Sequence, residues 1–121
     1  LFPCKWHQHV EAWLANPHQA AMITIRYEVL KRDPAAELRR FCEFAGIKRS
    51  AEFLEQVADG TAFEKMQRKE RVQGVGDPQW PKEKLFRRRG AVGSYKEEMP
   101  GDILQAFLGE ANDVLHQCGY L

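Results

Sequence analysis

The sequence predicts a mostly helical α/β segment with one buried strand. Three observations lead there. Apolar residues recur at helical spacing, from Trp6, Val10, Trp13 and Leu14 near the start to Ile103, Leu104, Phe107, Leu108, Ala111, Val114, Leu115 and Cys118 near the end. Cap residues bracket several of these stripes. One stretch alone, "AAMITIRY" at 20–27, is short and nearly continuously apolar, the mark of a strand covered on both faces.

Taken in order, "KWHQHVEAWLA" at 5–15 forms the first helix and Asn16-Pro17 closes it, because the residue before proline avoids the helical region. The strand over 20–27 follows. A strand buried on both faces needs partner strands, and no second clear strand is present, so missing neighbours are expected. Asp33 caps the next helix with Pro34 at its first position, and Leu38, Phe41, Cys42 and Ala45 form its inner face. Gly46 ends it in a left-handed cap. Ser50 starts a helix with Phe53, Leu54, Val57 and Ala58 inward and Gly60 as its stop. "TAFE" at 61–64 reads as a capping box, Thr61 reaching forward and Glu64 reaching back. Residues 71–84, "RVQGVGDPQWPKEK", hold two glycines and two prolines and read as a long loop of the lid or binding kind. Pro100 to Cys118 is the last amphipathic helix, stopped by Gly119.

The chain has 121 residues, room for a single domain over 1–121, with 44% hydrophobic and 29% charged residues. Its formal net charge of +1 gives no global field toward nucleic acid or an anionic membrane. Any anion site must therefore be local. Cys4, Cys42 and Cys118 form no C-x-x-C pair, and an odd count argues against a disulfide framework. That usage suits a reducing, cytoplasmic setting. No apolar run reaches membrane-span length. The chain opens on Leu1 and is in helical pattern by Trp6, as expected of a piece of something longer.

The densest local charge is "LFRRRGAVGSYK" at 85–96. Arginine forks fit phosphate oxygens, and glycines let backbone amides approach an anion. On pattern alone a solvated charge run is the stronger reading. Cys4, His7 and His9 do not share a helical face and have no second ligand pair, so no metal site is expected. His18 and His116 receive no role. Thr61 and Phe63 open a helix, where an anion and a stacked base would be favoured; a plain cap over a core phenylalanine is the simpler alternative. Tyr27 closes the strand, the end of an open sheet at which ligands bind, and it reads equally as an aromatic packed locally.

In order, "WHQHVEAWL", "ITIRYEVLKRDPAAELRRFCEFAGI", "TAFEKMQRKE" and "LFRRRGAVGSYK" resemble the C-terminal half of the cytosolic-type sulfotransferases. The resemblance covers essentially the whole chain. It implies the C-terminal part of a P-loop-type, three-layer α/β fold. It also implies transfer of sulfuryl from 3′-phosphoadenosine 5′-phosphosulfate to a hydroxyl or amine, with that nucleotide as co-substrate and no metal. Carried over by position, Tyr27, Thr61 and Phe63 would lie at the adenine. Phe86, Arg88, Arg89 and Gly90 would hold the 3′-phosphate, Arg88 by its fork and Arg89 with Gly90 by backbone amides. Trp80 would line the acceptor pocket.

The departures are specific. Ala62 stands where the family has serine, Arg87 where it has an apolar residue, and Ser94-Tyr95 where it has Asp-Trp. Pro100, Gly101 and Gln105 depart from the family's dimer-forming residues. The phosphosulfate loop, the catalytic histidine and the upstream Arg/Ser pair have no counterpart, so no catalytic residue is assigned and the chain by itself is expected to be inactive. A non-catalytic nucleotide-binding or protein-interaction module is the alternative. Its apolar strand would be covered by a partner chain or by self-association.

Overall fold

The computed structural model of the chain describes residues 4–77, 79–81 and 83–121. Pro78 and Lys82 of the expected loop lie outside them. The regular structure among the described residues is helical: α1 Trp6–Ala15, α2 Tyr27–Arg32, α3 Pro34–Phe44, α4 Ala51–Gly60, α5 Phe63–Gln73, α6 Tyr95–Glu98 and α7 Gly101–Gln117. The chain divides into two compact units, one running to Met22 and resuming at Gly93–Leu121, the other Ile23–Val92.

In the first unit α1 packs on α7. Trp6 meets Phe107 with ring centroids 5.6 Å apart, and the Lys5 ammonium pairs with Glu110. Ala111, Val114 and Leu115 are buried on α7, Ala111 with no exposed surface at all. The stripe expected on α1 is only partly covered: Val10 is half-buried, but Trp13 remains 62% exposed. Asn16 ends α1 in the left-handed region, and its side-chain amide donates to Ala20 O (2.8 Å) while its carbonyl accepts from Ala20 N (2.9 Å).

The second unit is built on α3 packed against α4, with α2 laid on α3. The caps form as the sequence requires. Asp33 accepts from Ala36 N at 3.0 Å, Pro34 occupies the first turn of α3, and Ser50 accepts from Phe53 N at 3.2 Å. Gly46 takes φ +68°, which lets Gly46 N donate to Glu43 O (3.2 Å) and Ile47 N to Cys42 O (2.8 Å). Those two bonds are a Schellman closure, and a side chain at that φ would be strained.

Three expectations are corrected. The strand over 20–27 does not form: among the described residues there is no strand, 20–26 carry no regular structure, and Tyr27 is instead the first residue of α2. A strand's backbone groups need a neighbouring ladder, and the described chain supplies none. Met22 and Ile25 are left 41% and 39% exposed. The capping box at 61–64 is also absent. Gly60 stays helical, so α4 reaches Thr61, whose hydroxyl donates back to Val57 O (2.8 Å) and Ala58 O (3.2 Å), and Ala62 becomes the cap position of α5. On α3 the deeply buried residue is Glu37, bonded to Arg40, while Phe41 is 41% exposed.

Candidate functional site

The arginine-glycine segment is held from below by one helix. On α5, Gln67 and Glu70 are three residues apart and therefore share a face. Glu70 accepts from the amide of Phe86 (2.5 Å), the amide of Arg87 (3.1 Å) and Arg87 Nη1 (3.0 Å). Gln67 Nε2 donates to the carbonyls of Arg87 (2.6 Å) and Arg88 (3.3 Å). The acid thus takes the donors of the segment and the amide takes its acceptors. The amide of Arg88 turns back to Phe86 O at 3.1 Å, tightening the bend.

Glu70 is 4% exposed, a carboxylate that must be paired to be buried. Desolvation pushes its pKa up. The amides of Arg87 and Phe86 and the Arg87 guanidinium outweigh that and hold the carboxyl below its usual range. Arg87, the charge for which the motif had no place, is the counter-ion of this acid. Both Gln67 and Glu70 escaped the sequence reading. The signal for Glu70 was the surplus arginine itself, which needs an acid, and α5 offers Glu64 and Glu70.

Past the bend, the Arg88 and Arg89 residues are exposed. Gly90 sits at φ +58° against the ring of Phe63. A Cβ there would fall 2.5 Å from Phe63 Cε2 and 2.9 Å from Cγ, with Cδ2 nearer still. Only glycine satisfies both the backbone angle and the ring. Among the described residues the Gly90 amide donates to no carbonyl. The Lys31 ammonium of α2 lies 5.2 Å from the centre of the Phe63 ring.

Of the residues singled out from sequence, Phe63, Phe86, Arg88, Arg89 and Gly90 are brought to one region by these contacts. Trp80 joins them through Phe86, centroids 5.3 Å apart and edge to face, and its Nε1 donates to Lys84 O at 2.6 Å. Trp80 also lines an open cavity of about 640 Å³ with Gln73, Gly76, Lys84 and Leu85. Tyr27 opens α2, one turn before Lys31 and on its face, and is 48% exposed. Thr61 lies two residues before Phe63, its hydroxyl turned onto α4. Among the described residues no three His, Cys, Asp or Glu side chains converge as a metal site would require.

A family model described as a sulfotransferase domain matches residues 1–119. The chain belongs to the sulfotransferase domain family. Sulfotransferase 1E1 of Mus musculus is 27% identical over 106 residues, 85% of this chain and 36% of that protein. Sulfotransferase 1C2 of Oryctolagus cuniculus is 28% identical over 95 residues, 76% of this chain and 32% of its own length. The human sulfotransferase 1C2 is 34% identical over 62 residues, 51% and 21% respectively. The chain therefore spans about a third of the sulfotransferases it matches over most of its length. No solved structure gives a significant match. No helix among the described residues is long and apolar enough to cross a membrane.

Proposed function

We propose that this chain forms the adenosine and 3′-phosphate wall of a 3′-phosphoadenosine 5′-phosphosulfate site, serving sulfuryl transfer to a hydroxyl or amine acceptor. The observation that carries the reading is the Phe86–Gly90 segment. Its early amides are consumed by Glu70, its bend is closed, and two arginines and a glycine follow in a backbone shape that no side chain at position 90 could share. Two exposed arginine residues beside a glycine amide fit a phosphate dianion in charge and in donor type. Arg88 supplies the guanidinium fork and Arg89 with Gly90 the amides. Each charge-assisted bond of this kind is worth about 1.5–3 kcal/mol.

The adenine is assigned to Phe63, with Tyr27 and Thr61 at its rim. A base on Phe63 would meet the Lys31 ammonium, already 5.2 Å from the ring centre. Trp80 is assigned to the acceptor side, on the strength of its cavity and its contact with Phe86. The nucleotide, when bound, supplies the sulfuryl group. The residues here bind and orient its adenosine end. No side chain of this chain is assigned as the base toward the acceptor, and the chain by itself is proposed to be inactive. The cytoplasmic setting belongs to the same reading and is supported by three free thiols, Cys4, Cys42 and Cys118.

Calorimetric titration of adenosine 3′,5′-bisphosphate tests the assignment. Arg88→Ala should weaken binding about ten- to hundredfold, the equivalent of one charge-assisted bond. Equal affinity of the two proteins would remove Arg88 from the site.

A further inference from the structure

The geometry points to Glu70 and Gln67 as positioning residues for the phosphate-binding segment: a two-sided latch that fixes Phe86–Arg88 on α5 so that Arg88, Arg89 and Gly90 face the 3′-phosphate. The inference rests on the nucleotide reading above and adds residues that the motif does not contain.

The argument is one of complementarity. A turn of irregular backbone exposes both amides and carbonyls, and it keeps one shape only if both are satisfied. Glu70 satisfies two consecutive amides, Phe86 and Arg87, and Gln67 satisfies two consecutive carbonyls, Arg87 and Arg88. The two side chains grip adjacent peptide groups from one helix face. Gln67 Oε1 accepts in turn from Arg71 Nη2 at 3.3 Å, which orients its amide with the NH2 toward the segment.

The arrangement also sorts the three arginines. Arg87 Nη1 pairs with a carboxylate whose side chain is only 2% exposed, although the Arg87 side chain itself keeps 32% of its surface in solvent. The next two arginines are in exposed positions. With Glu70 absent, Arg87 would lose its anchor and the segment its fixed position on α5. The latch therefore acts on selectivity for the 3′-phosphate rather than on nucleotide contact, since neither Glu70 nor Gln67 is placed against the ligand.

The test uses the full chain and two nucleotides, adenosine 3′,5′-bisphosphate and adenosine 5′-monophosphate, which differ by the 3′-phosphate. Amide hydrogen exchange is followed in parallel. In Glu70→Gln the Phe86 and Arg87 amides should exchange about tenfold faster while those of α3 and α4 keep their protection. Affinity for the bisphosphate should fall about tenfold and that for the monophosphate should not change. Gln67→Ala, which carries no risk to α5 because alanine favours helix, should reproduce the selective loss at about threefold. Unchanged exchange at Phe86 and Arg87 overturns the latch. Faster exchange with both affinities intact overturns its positioning role and leaves the nucleotide reading standing. Equal affinity of the unaltered chain for the two nucleotides overturns the nucleotide reading, and the positioning role with it. Should Glu70→Gln lose protection throughout, the Gln67→Ala result decides: an unchanged ratio of the two affinities overturns the inference.

Discussion

Replacing Gly90 by alanine isolates the feature on which the site's shape depends. The new methyl group meets two penalties. The backbone angle of φ +58° lies in the left-handed region, which costs a residue with a Cβ about 1–2 kcal/mol. The Cβ also falls 2.5 Å from Phe63 Cε2 and 2.9 Å from Cγ, where ordinary contact begins near 3.4 Å. The ring must move by roughly 1 Å, and such overpacking costs about 1–3 kcal/mol. Gly90→Ala should therefore destabilise the chain by about 2–5 kcal/mol, read as a fall in the urea midpoint followed by far-ultraviolet circular dichroism. Gly46→Ala is the matched control. It has φ +68° in the Schellman closure with nothing within 4 Å, so it should lose only the backbone part, about 1–2 kcal/mol. In a Phe63→Ala background the Gly90 substitution should shrink to the same backbone part. Equal losses at positions 90 and 46, or a Gly90→Ala cost indifferent to Phe63, would refute the contact and with it the fixed shape of the segment.

Other outcomes follow from the same structure. Asp33→Ala removes the 3.0 Å cap bond to Ala36 and should cost about 1 kcal/mol in the same denaturation assay, with Asp33→Asn nearly neutral. Glu70 has its pKa lowered from 4.5 in the folded chain, so its contribution is complete above that value and is lost as pH falls through the depressed pKa. The Phe86 and Arg87 amides should accordingly hold their protection from about pH 6 down to about pH 5 and lose it only on further acidification, an order that Glu70→Gln abolishes.

What could be read from the sequence was what is local. Asp33, Ser50 and Gly46 act on groups within four residues of themselves, and each does what its chemistry prescribes. The stretch 20–27 misled because a strand is not a local object. Its apolar pattern describes a surface to be covered, but pairing depends on a neighbour that the described chain does not contain, and Tyr27 turns into helix α2 instead. Thr61 misled for a related reason: two helices compete for it, and α4, continuing through Gly60, takes it. At the site, the residue types of "LFRRRG" were legible, since arginines and a glycine carry their chemistry openly. Their support was not. Glu70 stands sixteen residues from Phe86 on a strongly polar helix, where an acid reads as solvated. Its burial is created by the return of the chain over α5, and only the unexplained Arg87 hinted at it.

The most direct test of the nucleotide wall is a map of amide shifts in the ¹⁵N-labelled chain as adenosine 3′,5′-bisphosphate is added. The account predicts that the largest changes fall on Arg88, Arg89 and Gly90, with Phe63 following, and that Arg88→Ala removes them. Changes confined to other segments, such as the basic stretch at Lys48 and Arg49, would contradict it.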